Sequence, residues 1–209
     1  RAADVMDLLA SVSMHGIQTS GNDIRNITCD ALEGIAEDSV VDCRPFAEIT
    51  RQWSSLHPEF SYLPRKFKIA FNGAKEDRAA IGWYDIGLQA LKNDAGEVGF
   101  TVKVGGGMGR TPIIGSVVRE FLPWAELLNY IEAIVRVYNG YGRRDNKWKA
   151  RIKILVKSEG QAFITAVEKE YRDIVELDGA PHRITQAELD RVTSHFVVPE
   201  LKPANLPSS

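Results

Sequence analysis

The sequence predicts an α+β fold: a mixed, mainly antiparallel sheet of about five strands, with helices packed on one face. Three observations carry this expectation. Strand-like segments dominate the first 122 residues and helical periodicity the rest, an order typical of segregated layers. Residues 67–71 alternate, with Phe67, Ile69 and Phe71 facing one way and Lys68 and Ala70 the other. Two apolar runs, Trp83–Leu91 and Val98–Val104, flank the turn-forming stretch Lys92-Asn93-Asp94-Ala95-Gly96-Glu97, as in an antiparallel hairpin.

The elements follow in order. Val5, Leu8, Leu9 and Val12 recur at helical spacing over residues 2–14, with Gly16 as a stop. A polar turn then leads into a short strand, Ile24–Thr28, on which Ile24 and Asn26 share one parity and Arg25 and Ile27 the other. Pro45 opens a helix whose apolar face is Phe46, Ile49, Trp53 and Leu56, ended by His57-Pro58. Pro64 and Asn72-Gly73 bracket the next strand. Val117, Val118 and Phe121 suit one further strand. Pro123 starts a helix, expected to be the longest, lined by Trp124, Leu127, Leu128, Ile131, Val135 and Tyr138. Arg151, Lys153 and Lys157 alternate with Ile152, Ile154 and Val156, which reads as a half-buried basic strand within 142–157. Ser158 and Gln161 form a capping box for a helix carrying Phe163, Ile164, Val167 and Tyr171. Residues 173–184 resemble a linker, Thr185 and Glu188 cap a last helix, and the tail with Pro199, Pro203 and Pro207 is expected to be loosely held.

Composition narrows the function classes. The chain has 209 residues, 44% of them hydrophobic and 26% charged, with a net charge of −2, so nothing pulls it globally toward nucleic acid or an anionic membrane. No run approaches the roughly 18 apolar residues of a membrane span. No signal peptide is apparent, and a reducing, cytoplasmic location is expected. Cys29 and Cys43 match no metal spacing, and neither do His15, His57, His182 and His195, so no metal ligands are expected. The start without Met, inside a helix, suggests a piece of a longer protein.

The chemistry is carried by cations and donors. Lys66 and Lys68 share one strand face, about 6.6 Å apart along the strand, where they repel each other. They are either a solvated edge face or a cradle for an anion. Thr19, Asn22, Arg25 and Asn26 form a dense donor set, also explicable as loop hydrogen bonding. Gly105-Gly106-Gly107-Met108-Gly109-Arg110 follows a strand. It is neither a dinucleotide fingerprint nor a P-loop, but its amides could form an anion nest, with Arg110 adding charge at its exit. With few general bases, such a set suits a large polyanionic ligand that does the chemistry itself.

Four motifs in order, Ser20-Gly21-Asn22-Asp23-Ile24-Arg25-Asn26-Ile27, Leu63-Pro64-Arg65-Lys66-Phe67-Lys68, Gly105–Pro112 and Arg143-Arg144-Asp145-Asn146-Lys147-Trp148-Lys149-Ala150-Arg151, resemble the sirohaem-dependent nitrite/sulfite reductase family. The resemblance covers the first of that family's two sirohaem/iron–sulfur repeats. It implies a division into 1–16, the end of a ferredoxin-like half domain; 17–172, the sirohaem-binding repeat; and 173–209, a linker and the start of a second half domain. It implies multi-electron reduction of sulfite to sulfide or nitrite to ammonia, with sirohaem and a [4Fe–4S] cluster in the complete enzyme. Ferredoxin or a flavoprotein would be the electron donor, and the rest of the parent chain a partner. Neither nucleic acid nor membrane is implied. By resemblance Arg25, Lys66 and Lys68 are catalytic. Thr19, Asn22, Asn26, Arg65, Gly105, Gly106, Gly107, Gly109, Arg110, Arg143 and Lys149 contact the cofactor. The cluster cysteines would lie beyond this chain, which alone is expected to be without cofactor and inactive. The competing readings are a polyanion- or RNA-binding module built on the basic strand 142–157, and a non-catalytic pseudo-repeat.

Overall fold

The computed structural model describes residues 1–197, so the proline-bearing tail lies outside the described residues. The elements are α1 (Ala2–Ser11), β1 (Ile24–Thr28), α2 (Arg44–Ser55), β2 (Phe67–Asn72), β3 (Ile86–Lys92), β4 (Val98–Val104), β5 (Ser116–Pro123), α3 (Leu127–Tyr141), α4 (Ile152–Glu159), α5 (Gln161–Glu176) and α6 (Gln186–Thr193). The five strands form one mixed sheet in chain order. β1, β2 and β3 run parallel, whereas β3–β4 and β4–β5 pair antiparallel, so the pairings divide evenly. Among the described residues no helix is long and apolar enough to cross a membrane.

One face of the sheet carries the core. Phe67, Ile69 and Phe71 are fully buried, together with Ile86, Leu88, Phe100, Val102 and Val104 from β3 and β4. Phe100 meets Phe46 of α2 edge-on at 5.3 Å, and Phe67 lies 5.5 Å from Tyr138 of α3. Burying so many large side chains is the main favourable term, at about 1.5–3 kcal/mol for each. α3 is buried on nearly every side, from Leu127 to Tyr138, because the sheet covers one flank and α5 the other. Asn72 closes β2 by donating to the carbonyls of Ala74 and Glu76, while the Gly73 amide donates to Glu33. A Cβ on Gly73 would stand 2.0 Å from the Glu33 carboxylate, so glycine is required there.

The opposite face is only partly open. A short helical turn, Ile81–Trp83, packs over β2, β3 and β4. Its close approach depends on Gly87, where a Cβ would meet the Ile81 carbonyl at 2.4 Å. Ala70, the β-partner of Gly87, is therefore fully buried although it faces away from the main core.

Several sequence expectations are corrected. The basic strand within 142–157 is a loop followed by helix α4, and the β-like alternation there straddles the boundary at Arg151. Ser158 caps nothing: its hydroxyl donates to the Leu155 carbonyl, and Gly160, at φ +54°, separates α4 from α5. α1 exists but buries no residue, and it ends at Ser11 before Gly16. Trp83 belongs to the helical turn, so the third strand starts at Ile86. After Pro123 a helical turn, Trp124–Glu126, precedes α3, and the 16-residue α5 is longer than the 15-residue α3. α5 runs to Glu176, past the expected start of the linker at 173. Thr185 does cap α6, accepting from the Glu188 amide at 3.2 Å.

Candidate functional site

β1 joins β2 with a bulge. Ile24 pairs with Phe67 but Asn26 pairs with Lys68, so Arg25 and Asn26 together oppose one β2 residue. The extra residue resets the parity. Ile24 and Ile27 both face the core, and simple alternation over β1 fails. Arg25 is held by donating twice to the Gly21 carbonyl, at 2.9 and 2.7 Å.

Lys66 and Lys68 project away from the buried Phe67 and Ile69, as the sequence predicts. The Lys66 ammonium is pushed below the ordinary lysine range, first by burial and then by the charges of Lys68, Arg151 and Arg25. Those four cations therefore form one electrostatic cluster. Beneath it lies Asp85, 1% exposed. One Asp85 oxygen accepts the Lys68 amide at 3.0 Å and the other accepts Arg151 Nη2 at 2.8 Å. Burial raises the Asp85 carboxyl above its usual range, opposed chiefly by Arg151. Arg151 Nε is buried without a hydrogen-bond partner among the described residues.

The cluster borders a cavity of about 570 Å³ lined by Arg65, Lys66, Met108, Gly109, Arg110, Thr111, Lys147, Trp148, Arg151, Lys153 and Ile154. Among the described residues no carboxylate lines it. The glycine loop forms one wall and is tied to its surroundings by hydrogen bonds. The Gly107 amide donates to the Ile113 carbonyl and that of Ile113 to the Gly107 carbonyl, while the Gly105 amide donates to the backbone carbonyl of Asp85. Lys153, 7% exposed, donates to the carbonyls of Met108 at 3.0 Å and Thr111 at 2.6 Å. Gly106 is packed so closely that a Cβ would lie 2.2 Å from the Gly82 carbonyl. Gly105, Gly106 and Gly107 are thus buried behind the wall, and the amides of Gly105 and Gly107 are spent on the fold.

Of the residues singled out from sequence, the structure brings Arg65, Lys66, Gly109 and Arg110 to the cavity, with Arg25 and Lys68 in the adjoining cluster. Asn26 is exposed beside Lys68 on β1. Thr19 is bound into a turn through the Gly16 carbonyl, and Asn22 lies in a separate hollow with Tyr62 and Arg144. Arg143 is paired with Asp145 in solvent, and Lys149 is exposed and does not line the cavity. Sequence reasoning missed Asp85, and it assigned Arg151 and Lys153 to an outward strand face. The signal for Asp85 was a lone acid inside the apolar run Trp83–Leu91.

The fold and site define an α+β domain with a cation-lined cavity beside a mixed sheet. The chain belongs to the nitrite and sulphite reductase 4Fe-4S domain family, whose model matches residues 20–174. It is 29% identical over 196 residues, 92% of its length, to a sulfite reductase [ferredoxin] 1 of Mycolicibacterium paratuberculosis, covering 35% of that protein. It is 31% identical over 176 residues, 81% of its length, to an assimilatory ferredoxin-dependent nitrite reductase of Haloferax mediterranei, covering 30% of it. The solved structure of the Mycobacterium tuberculosis NirA protein superposes with a TM-score of 0.75 at 26% identity, over 82% of this chain and 31% of that one. The chain thus spans about a third of the length of these relatives.

Proposed function

We propose that this chain supplies the anion pocket and part of the sirohaem seat of a longer reductase acting on sulfite or nitrite. The observation that carries this is the convergence of Arg25, Lys66, Lys68 and Arg151 over buried Asp85, at the edge of a cavity with no acidic lining among the described residues. The donor set fits a macrocycle rich in carboxylates. Arg65, Arg110 and Lys147 offer charge-assisted contacts along the walls, and the buried Arg151 Nε lacks an acceptor among the described residues. When bound, sirohaem supplies the iron at which the oxyanion is reduced. Lys66 and Lys68 would hold the oxyanion's oxygens and supply the protons with which each leaves as water, the electrons coming from the donor through the cofactors, and Arg25 would add charge at the rim. A Lys66 ammonium that titrates below the ordinary range is a better acid for that task.

The residues present do not fit a [4Fe–4S] cluster. Such a cluster takes four thiolates, and the chain has two cysteines. Burial, followed by the Glu33 carboxylate, raises the Cys29 thiol to about 12 and raises Cys43 as well. Two thiols fall short of the four a cluster takes, and in this reading the cluster ligands come from elsewhere in the longer protein. Ferredoxin is the donor this reading adopts, as the names of the relatives suggest. The polyanion-module reading is weaker, because Arg151 and Lys153 turn into the cavity and are engaged by Asp85 and by loop carbonyls.

The test is turnover per bound sirohaem in the full-length protein. Lys66→Met keeps most of the side-chain volume and removes the cation. Turnover is expected to fall by two orders of magnitude or more with sirohaem content little changed. Phe67→Ala opens a core cavity costing about 3–5 kcal/mol and lowers the yield of loaded protein, but turnover per sirohaem should stay near normal. Full activity per sirohaem in Lys66→Met would refute the assignment.

A further inference from the structure

The sequence shows no metal-ligand spacing among the histidines, yet the fold brings two of them to one buried carboxylate. Glu132 of α3 is 1% exposed. His57 precedes the helical turn Pro58–Ser61, and His182 lies in the connection between α5 and α6. One ligand atom from each lies within 4.8 Å of the others. His182 Nε2 stands 2.8 Å from Glu132 Oε2, and His57 Nε2 stands 3.9 Å from Oε1. This trio sits on the helical side of the sheet and has no part in the cationic cavity.

We propose that His57, Glu132 and His182 form a divalent transition-metal site of the Zn²⁺ class.

Four observations support it. First, two imidazoles and one carboxylate are a donor set that Zn²⁺ takes, leaving a fourth position for water. Second, Glu132 Oε2 is buried and, among the described residues, receives no hydrogen bond, although His182 Nε2 stands 2.8 Å away. Its remaining lone pairs are available to an ion. Third, Oε1 is already held by Arg136 at 2.6 Å, which orients the carboxylate as an outer-shell partner would. Arg136 does not make the region positive. Among the described residues it is the one guanidinium facing Glu59, Glu132, Glu170 and Asp178, at 3.8, 2.6, 3.2 and 3.6 Å, so the local balance favours a cation. Fourth, the rings are fixed. His57 stacks on Phe60 at 3.8 Å, and Trp53 packs edge-on against His57 at 5.4 Å and His182 at 5.6 Å. His182 also lines a shallow hollow of about 330 Å³, which gives the ion a way in.

Binding requires one proton rearrangement. His57 Nδ1 accepts the Glu59 amide at 3.3 Å, so in the neutral ring the proton sits on Nε2. A metal on Nε2 displaces that proton, Nδ1 takes one from solvent, and the long Glu59 contact is given up. The ion would join three segments far apart in sequence: the end of the α2 connection, the middle of α3, and the loop after α5.

The experiment uses the tag-free chain, stripped with a chelator and titrated with Zn²⁺ by calorimetry and with Co²⁺ by visible absorption. One equivalent is expected to bind, with the ligand-field bands of a tetrahedral nitrogen/oxygen site for Co²⁺. Free Zn²⁺ at about 100 times Kd should raise Tm by about 5–10 °C. His182→Ala, on a half-exposed loop residue, is expected to fold and to lose at least tenfold in affinity, whereas a His15→Ala/His195→Ala control keeps it. In nitrogen-detected spectra the proton of His57 should move from Nε2 to Nδ1 on saturation, even if Glu132→Gln fails to fold. No stoichiometric binding, or binding unchanged in His182→Ala, would overturn the proposal.

Discussion

Arg151 Nη2 lies 2.8 Å from a carboxylate oxygen of Asp85, and the two partners differ sharply in access to water. The Asp85 side chain is 1% exposed and that of Arg151 is 20% exposed. Removing either partner breaks the pair, but the charge left behind differs. Arg151→Met strands a carboxylate with no route to solvent and is expected to cost about 3–5 kcal/mol. Asp85→Asn leaves a guanidinium that can turn toward water and should cost distinctly less. Urea unfolding midpoints of the two variants check the asymmetry; equal losses would mean that both charges are equally buried.

Lys66 should titrate in a way that names its neighbours. Lys68→Met removes a like charge and raises the Lys66 pKa; Asp85→Asn removes an attractive one and lowers it further. The sign for stability follows. A lysine whose folded pKa is depressed binds its proton more tightly in the unfolded chain. Wild-type stability therefore gains from this residue as pH rises from the folded pKa toward the ordinary value near 10.4. Lys66→Met should lack that gain. Carbon-detected titration of the lysine side chains, with urea midpoints between about pH 7 and 10, tests both statements.

Lys153 ties the glycine loop to α4 through the Met108 and Thr111 carbonyls. In Lys153→Met those carbonyls lose their donor and the loop should open locally while the sheet persists. Trypsin cleavage after Arg110, between the two contacts, is expected to accelerate roughly tenfold or more with little change in the far-ultraviolet dichroism. An unchanged cleavage rate would assign the loop's order to the Gly107–Ile113 hydrogen bonds alone.

Two glycines should respond with opposite signs. An Ala at Gly106 would press on the backbone carbonyls of Gly82 and Tyr84, at 2.2 and 2.6 Å, and overpacking of this kind costs about 1–3 kcal/mol. Gly140, in the last turn of α3, has open space where a Cβ would go, so Gly140→Ala should stabilise by about 0.5–1 kcal/mol. Thermal midpoints of both variants decide it.

Much of this architecture is legible in the sequence where one local rule operates. The β2 alternation places Phe67, Ile69, Lys66 and Lys68 correctly, because the apolar side chains share one face and have a single demand on them, burial in the core. Two kinds of information were out of reach. The bulge in β1 shifts parity by one residue, and nothing in Ile24–Thr28 announces it. The alternation over 151–157 imitates a strand because Arg151 and Lys153 reach into the cavity from either side of a helix start, each drawn by a partner more than 40 residues away. His57 and His182 were likewise dismissed on spacing, which is silent about tertiary approach.

The strand order has a consequence in time. β3, β4 and β5 are joined by short connections and pair with sequence neighbours, so they can zip without closing a long loop. β1 must wait for the crossover through α2 before it can lie parallel to β2, and its loop-closure entropy is spent before any pairing is gained. The meander is therefore expected to form first and the β1–β2 edge last. Pulsed hydrogen exchange should show the Leu88 and Val102 amides protected before those of Ile27 and Ile69. Arg25, Lys66 and Lys68 sit on the late edge, so an anion that binds them acts only on the final step of folding and cannot seed the earlier ones.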